Sequence, residues 1–159
     1  MSNRLAKSEL RRELRKARRS LSAGERADAD KRICANLHRL PAFNHARTVA
    51  AYLAFDGEPS VGRLFDDPRC AQTRFLVPVI RTERMTFAPL KTDADLRLNR
   101  FGIAEPSHKE RVLTKTIDAV LVPLVGFDEY GNRLGMGGGF YDRHFEFLQT
   151  RKHYLRPYM

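Results

Sequence analysis

Apolar side chains recur at helical spacing near the start of the chain. The residues that form this stripe are Leu10, Leu14, Ala17 and Leu21. Their spacing predicts an amphipathic helix over about residues 4–20, with lysines and arginines around the stripe. Ser22 followed by Glu25 is a capping-box pattern that begins a second helix. That helix ends at Pro41, because proline is not tolerated inside a helix.

From residue 48 onward the apolar residues form short, nearly continuous runs. Such runs, bounded by turn residues, are typical of strands buried on both faces of a sheet. The predicted strands are 48–55, 74–80, 85–90 and 117–122. A short helix is predicted between Ser60 and Pro68, and a last helix over about residues 140–150. This alternation predicts an α/β protein: one domain, residues 1–159, with a layered α/β/α fold and a mostly parallel, Rossmann-like central sheet.

Composition narrows the class of protein. Hydrophobic residues make up 42% of the chain and charged residues 30%, the balance of a globular protein in water. The apolar runs are too short to span a bilayer, and no signal peptide is visible, so we expect a cytoplasmic protein without membrane contact. Cys34 and Cys70 lie outside any zinc-ligand spacing, and we interpret both as buried packing residues.

The positive charge is concentrated in the first part of the chain. The formal net charge is +10, and residues 1–47 hold 13 lysines and arginines against 5 acidic residues. This asymmetry indicates a polyanionic partner: nucleic acid, nucleotide phosphates or a small molecule rich in carboxylates. Charge alone does not choose among the three.

A glycine-rich loop carries the densest chemical signal. Six of the ten glycines lie between residues 126 and 139, after the last predicted strand and before the last predicted helix. Glycines let several backbone N–H groups face one anion, so this position favours a phosphate site, with Arg133 on a phosphate oxygen and Asp142 on a bridging Mg²⁺ ion. The alternative is a set of tight turns whose carboxylate only complements the helix dipole. Neither a Walker A string nor a dinucleotide fingerprint is present.

The loop also carries a resemblance. GNRLGMGGGFYDR at 131–143, preceded by VPLVGFDEYG, resembles the signature of the 5-formyltetrahydrofolate cyclo-ligase family. Three weaker pieces occur in the order of that family: K-x-x-x-R at Lys7 and Arg11, YLAFDGEP at 52–59, and NRFGIAEP at 99–106. The resemblance implies an enzyme that uses ATP and Mg²⁺ to convert 5-formyltetrahydrofolate into 5,10-methenyltetrahydrofolate, releasing ADP and phosphate. Such catalysis rests mainly on positioning and charge stabilisation.

The resemblance implies a set of nucleotide contacts. Lys7 and Arg11 match ATP contacts and lie four residues apart, on one face of a helix. The positions that match the ATP loop are Arg133, Leu134, Gly135, Met136, Gly137, Gly138, Gly139, Phe140 and Tyr141. Asp142 matches a magnesium ligand, and we assign the catalytic role on the transferred phosphate to Arg133.

The folate contacts follow from the same resemblance. Leu53 and Glu58 match substrate contacts, and the Glu58 carboxylate would accept hydrogen bonds from the amino and ring N–H groups of the pterin. The loop positions that also match substrate contacts are Met136, Gly137, Gly138, Gly139 and Phe140. Other arginines would meet the glutamate tail of the folate, which is single or extended to a polyglutamate, but the resemblance does not identify them. We expect a monomer.

The chain departs from the pattern of the family at two places. Some members have basic residues where this loop has Met136 and Gly138. In the family, an RP-type turn after the last helix leads into further strands that carry a second acidic magnesium ligand. Here Arg156 and Pro157 are followed only by Tyr158 and Met159, so we expect those strands and that ligand to be missing.

Three other functions compete with that of a cyclo-ligase. A truncated, inactive relative would bind nucleotide or folate without turnover. A nucleic-acid-binding protein would use the basic first helix, but no basic surface interleaved with aromatic residues is visible, which disfavours this partner. A sugar-phosphate isomerase would need an acid/base constellation that the sequence does not show.

Overall fold

The computed structural model of the chain describes residues 2–91, 96–108, 110–149 and 157. Its helices are α1 (Ser2–Arg19), α2 (Ala23–Leu37), α3 (Pro41–Asn44) and α4 (Phe140–Phe145). Its strands are β1 (Thr48–Ala50), β2 (Arg74–Arg81), β3 (Arg84–Pro89), β4 (Leu96–Leu98), β5 (Ala104–Pro106), β6 (Ala119–Val120), β7 (Gly126–Phe127) and β8 (Arg133–Leu134). Short 3₁₀ turns lie at Gly62–Leu64, Pro68–Cys70, Thr114–Thr116 and Glu146–Gln149.

The two N-terminal helices lie where the sequence predicts them. The Ser22 hydroxyl accepts the Glu25 N–H (3.3 Å), and the Glu25 carboxylate accepts the Ser22 N–H (2.8 Å). This reciprocal cap satisfies two N–H groups that a helix start otherwise leaves without partners. The predicted capping box is therefore confirmed.

A four-stranded mixed sheet forms the centre of the molecule, in the order β3-β2-β1-β6. β1 pairs in parallel with both β2 and β6, while β2 and β3 form an antiparallel hairpin. The prediction of an α/β fold with a mostly parallel sheet is confirmed for the pairings of β1. The hairpin adds an antiparallel strand at one edge, which is common in sheets of this kind.

Helices cover both faces of the sheet because successive strand residues point to opposite sides. Val49 and Ala51 face a core that α2 completes with Cys34. Ala50 faces the other core, which α4 completes with Phe145. This arrangement gives the predicted α/β/α layers.

Several elements are shorter than their sequence patterns. The predicted strand 48–55 ends at Ala50, because after the bond from Ala51 N–H to the Leu76 carbonyl (2.7 Å) the chain leaves the sheet. It then turns through Asp56 and Gly57, both at positive φ. The helix predicted between 60 and 68 is only the 3₁₀ turn at Gly62–Leu64. The β4–β5 and β7–β8 hairpins were not predicted.

Both cysteines are free and 6% exposed, and burial raises the pKa of each thiol. Their interpretation as buried packing residues is confirmed. Among the described residues, none of the helices combines the length and the apolar character that a bilayer crossing requires.

Candidate functional site

A cavity of about 580 Å³ opens at the carboxyl ends of the parallel strands. The chain segments that follow β1 and β6 form part of its wall, as do Pro78 and Ile80 near the end of β2. α1 closes one side, and the glycine-rich loop between β8 and α4 closes another. Ligands of open α/β sheets bind at this edge.

Three arginines of α1 connect the helix to the turn at Asp56, in the segment that follows β1. Arg15, Arg18 and Arg19 all contact the Asp56 carboxylate; Arg15 Nε lies 2.7 Å and Arg18 Nη2 3.4 Å from Oδ2. Arg18 also donates to the carbonyls of Asp56 (3.0 Å) and Leu124 (3.2 Å). The Asp56 side chain is only 7% exposed. Burial acts to raise the pKa of Asp56, but the hydrogen bonds from Arg15 and Arg19 outweigh it, so the pKa is lowered.

The middle of α1 contacts the glycine-rich loop. Arg11 Nε donates to the Gly135 carbonyl at 2.8 Å. A Cβ on Gly126 would lie 2.6 Å from Leu14 Cδ1, so a larger residue there would require the Leu14 side chain to shift. The Lys7 and Arg11 side chains both line the cavity.

The glycine-rich loop forms backbone hydrogen bonds at the β7–β8 hairpin, but its amides from Gly135 to Gly139 form none with the rest of the described chain. The Val125 N–H donates to the Leu134 carbonyl at 2.7 Å, which closes the β7–β8 hairpin. Gly137 has φ +98°, and Gly139, at the start of α4, has φ +63°, both in the region that favours glycine. Within the described residues, the N–H groups of Gly135 to Gly139 donate no hydrogen bond to one another or to the rest of the chain. These amides are therefore free to face a ligand.

The predicted catalytic arginine and the predicted metal ligand contact each other. Arg133 Nη2 donates to Asp142 Oδ1, and the two side chains are 27% and 71% exposed. In the part of the chain that the structure describes, no three His, Cys, Asp or Glu side chains gather to bind a metal. Mg²⁺ commonly uses one or two protein carboxylates and completes its shell with phosphates and water. Asp142 fits this limited role.

Glu58 is a buried carboxylate in the cavity wall. It is 8% exposed, and its Oε2 accepts the Phe55 N–H at 3.2 Å. Burial raises the pKa of Glu58, against the opposing effect of that hydrogen bond and of the Arg18 charge. Beside it, the Tyr52 hydroxyl donates to the Pro59 carbonyl at 2.8 Å, and burial raises the pKa of Tyr52 to about 12. Glu58 is thus a hydrogen-bond acceptor in a largely apolar surrounding.

Sequence reasoning gave no role to much of the apolar wall. The wall residues without a predicted role are Tyr52, Phe55, Pro78, Ile80, Met85, Asn99, Phe101, Ile103 and Pro123. Phe101 packs edge to face on Phe140, with ring centroids 5.7 Å apart. Asn99 Oδ1 accepts the N–H groups of Phe101 (2.9 Å) and Ile103 (3.1 Å) and fixes this turn. The NRFGIAEP string marks Asn99, Phe101 and Ile103, whereas Pro78, Ile80 and Met85 look like ordinary strand residues.

Every residue to which the sequence assigns a site role lines this one cavity. They are Lys7, Arg11, Leu53, Glu58, Arg133, Leu134, Gly135, Met136, Gly137, Gly138, Gly139, Phe140, Tyr141 and Asp142. Their individual roles stay predictions. The fold and the cavity define an α/β protein suited to a small anionic ligand.

Comparison with known proteins narrows this class to one family. The family model of the 5-formyltetrahydrofolate cyclo-ligase family matches residues 3–157 of this chain. The 5-formyltetrahydrofolate cyclo-ligase of Escherichia coli K12 is 35% identical over 89% of this chain and 79% of its own length. The 5,10-methenyltetrahydrofolate synthetase of Aquifex aeolicus is 36% identical, with a TM-score of 0.74 over 86% of this chain and 70% of that one. The enzyme of the same name from Mycoplasma pneumoniae is 26% identical, with a TM-score of 0.70 over 88% and 77%.

The chain belongs to the 5-formyltetrahydrofolate cyclo-ligase family, and its relatives are ligases that bear that name. The resemblance carried by the glycine-rich loop is therefore confirmed at the level of family and enzyme class.

Proposed function

We propose that the protein catalyses the ATP- and Mg²⁺-dependent cyclisation of 5-formyltetrahydrofolate to 5,10-methenyltetrahydrofolate, with release of ADP and phosphate. The observation that carries the proposal is one cavity in which free loop amides and α1 cations adjoin an apolar wall with a buried carboxylate. The first part suits a triphosphate and the second suits a pterin.

The phosphates lie between α1 and the glycine-rich loop. Lys7 and Arg11 supply positive charge, and the N–H groups of Gly135 to Gly139 donate to phosphate oxygens. Arg11 already donates to the Gly135 carbonyl, so its position relative to the loop is fixed before a ligand arrives. Such preorganised donors stabilise charge on a transferring phosphoryl group.

Arg133 and Asp142 change partners when the nucleotide binds. In the structure the carboxylate of Asp142 pairs with the guanidinium of Arg133. Mg²⁺, when bound, would neutralise phosphate charge. Asp142 would hold that ion, which would leave Arg133 to donate to the phosphate oxygens.

The pterin lies against the apolar wall with its polar edge toward Glu58. The carboxylate oxygens of Glu58 accept from the ring N–H and amino groups, which are both donors. Phe55 and Ile80 exclude water from the reacting centre.

The reaction proceeds by transfer of the γ-phosphoryl group to the formyl oxygen. This step breaks the bond to ADP and makes the formyl carbon electrophilic. The neighbouring amine N10 attacks that carbon, the C–O bond breaks, and the oxygen leaves as part of phosphate while N10 loses its proton. The contribution of the chain is to hold both substrates in line and to stabilise the phosphoryl charge.

The test is direct. Purified protein with MgATP and 5-formyltetrahydrofolate should develop the near-ultraviolet absorbance of the methenyl product, with one ADP formed for each product molecule. The E. coli relative serves as the positive control. No absorbance change while that control turns over would contradict the proposed activity.

A binder without turnover is the second candidate. It is favoured by the few carboxylates in the cavity lining, Glu58 and Asp142, and by the lack of a three-ligand metal cluster among the described residues. Calorimetry that detects ATP or 5-formyltetrahydrofolate binding, in a protein that forms no product, would select this candidate.

A further inference from the structure

The helix α4 carries part of the cavity wall but has little stability of its own. Phe140, Tyr141 and Asp142, in its first turn, line the cavity. The helix is six residues long, and Gly139, at its start, offers no side-chain hydrogen bond. A helix of this length is not stable by itself in water, so contacts with the rest of the fold determine where α4 lies.

His144 connects α4 to two other parts of the fold. Its Nε2 lies 2.7 Å from Thr114 Oγ1, which is hydrogen-bond distance. Its ring packs edge to face on Phe87 of β3, with the ring centroids 5.3 Å apart. Because a threonine hydroxyl both donates and accepts, Thr114 is a partner for Nε2 in either tautomer of the ring. Both side chains are half-buried, so water competes less for this bond than it does at the surface.

The turn that presents Thr114 is itself bound to the central sheet. Before the turn, the Val112 N–H donates to the Phe87 carbonyl at 2.9 Å. After the turn, the Asp118 N–H donates to the Thr48 carbonyl at 2.9 Å. Thr114 is therefore held in place relative to the sheet, and the hydrogen bond of its hydroxyl sets the position of α4.

The position of α4 determines one end of the glycine-rich loop. The other end is held by the hydrogen bond between the Val125 N–H and the Leu134 carbonyl. A shift of α4 would therefore move the amides of Gly135 to Gly139 and the Asp142 carboxylate while the β7–β8 hairpin stays intact. A loop that adopts its binding arrangement for only part of the time binds its ligand correspondingly more weakly.

We propose that Thr114 and His144 are positioning residues, which hold the glycine-rich loop and Asp142 in the arrangement that binds the nucleotide phosphates. This inference rests on the proposed function, because it concerns the nucleotide of that same reaction. Neither residue is among those that line the cavity, so both act through α4 and contact no substrate.

The alternative is that apolar packing alone places α4. Phe145 is 4% exposed and packs against Phe87 and Tyr141, with ring centroids 6.1 Å and 6.4 Å apart. Such packing keeps the helix on the sheet but has no preferred direction, whereas a hydrogen bond requires a narrow range of distance and angle. The two explanations differ in what the removal of one hydroxyl group should do.

The experiment measures MgATP binding by calorimetry in the absence of folate, so that no turnover is needed. Thr114→Val removes the hydroxyl and keeps the branched shape, and the Kd for MgATP should rise about fivefold, the contribution of one neutral hydrogen bond. Thr114→Ser keeps the hydroxyl and should restore the wild-type affinity. Thr116→Val is the matched control, because the Thr116 hydroxyl donates within the same turn, to the Leu113 carbonyl at 2.8 Å. This control should bind MgATP as the wild type does.

A double-mutant cycle tests whether the two residues act as a pair. His144→Phe keeps an aromatic ring against Phe87 and removes Nε2, so its Kd for MgATP should also rise about fivefold. The double variant Thr114→Val, His144→Phe should bind no more weakly than either single variant, because each change removes the same hydrogen bond. Denaturant unfolding establishes that every variant is folded, and His144→Phe serves alone if Thr114→Val does not fold.

The remaining outcomes overturn different claims. A wild-type protein that binds no MgATP overturns the proposed function, and the inference with it. If the wild type binds MgATP, three results overturn the positioning role alone: folded Thr114→Val or His144→Phe with wild-type affinity, Thr114→Ser as weak as Thr114→Val, or losses that add in the double variant. A Thr116→Val control that is equally weakened also overturns it, because the effect would then belong to the turn and not to the hydrogen bond.

Discussion

Glu58 is a carboxylate that the fold keeps away from water at the edge of an apolar cavity. Its raised pKa means that the folded protein binds its proton more tightly than the unfolded chain does. The fold is therefore most favoured below the ordinary glutamate pKa and loses stability as pH rises through the raised pKa. A buried carboxyl group with a perturbed pKa in a cavity wall is typical of a group that serves a ligand.

We expect Glu58→Gln to make the protein more stable at neutral pH and poorer at binding folate. The amide has the same shape and carries no charge to bury, so the free energy of unfolding should rise at pH 7 and change little near pH 4. Denaturant unfolding at both pH values measures the first effect, and calorimetry with 5-formyltetrahydrofolate measures the second. A variant that is less stable at pH 7 would show that the Glu58 charge supports the fold instead.

Glycine geometry gives a second test at single positions. Gly137→Ala places a side chain at φ +98°, which strains the loop by about 1 kcal/mol or more. Gly131→Ala is the matched control, because its φ is +80° and its added Cβ meets nothing within 4 Å. Both variants should lose stability, but only Gly137→Ala should raise the KM for ATP. If both variants changed the KM for ATP equally, the backbone at Gly137 would have no specific role in nucleotide binding.

At the level of single residues, the sequence identifies many residues of the site but not all of those that line the cavity. The glycine-rich string is specific enough to mark its own positions, and Lys7 and Glu58 follow by resemblance. Ile80 and Met85 could not be found, because strand residues buried in a core and strand residues lining a cavity obey the same apolar pattern.

The helix α1 is the element whose role changes most between sequence and structure. Its arginines indicate a polyanionic partner when only the sequence is read. In the folded protein Arg15, Arg18 and Arg19 contact Asp56, a residue far away in the chain, so part of the charge is neutralised internally. Spacing along a helix cannot reveal such a partner.

We expect Asp56→Asn to loosen α1. Asparagine keeps the positive φ at this position but removes the charge, so stability should fall by about 1–3 kcal/mol. Because α1 holds Lys7 and Arg11, the KM for ATP should rise as well. Denaturant unfolding and steady-state kinetics measure the two effects.

The control for this variant is Asp28→Asn. Asp28 pairs with Arg32 on the exposed face of α2, and the loss of such a pair costs only about 0–0.5 kcal/mol. The lowered pKa of Asp56 adds a pH dependence: its contribution is present above the ordinary aspartate pKa and is lost as pH falls through the lowered pKa. A loss of stability that is equal in both variants would contradict the role of Asp56.

The strand pattern predicts the sheet but not where each strand ends. The apolar run from 48 to 55 continues beyond Ala50 because the same kind of residue serves the core and then the cavity wall. The β4–β5 and β7–β8 hairpins are too short to produce a pattern. Their existence depends on contacts such as those of Glu105 and Asp128, which only the folded chain brings together.

At the scale of the whole molecule, the cavity lies between the first helix and the loop before α4. α1 is mostly exposed and is held largely by its polar bonds to Asp56, Leu124 and Gly135. A nucleotide that contacts both sides would tie them together and suppress local opening of α1.

We therefore expect MgATP to slow amide hydrogen exchange in α1 and in residues 133–142, and to leave α2 unchanged. Mass spectrometry of peptides from these segments measures the effect. Protection confined to α2, or spread evenly over the chain, would place the nucleotide elsewhere.

The distance in sequence between Lys7 and the glycine-rich loop has a consequence during synthesis. α1 is synthesised before the glycine-rich loop that it contacts, and more than one hundred residues separate the two in the chain. At roughly 5–20 residues per second this interval is on the order of ten seconds. Throughout it Arg11 lacks the Gly135 carbonyl to which it donates in the folded protein, so this side of the cavity forms only after the loop has been made.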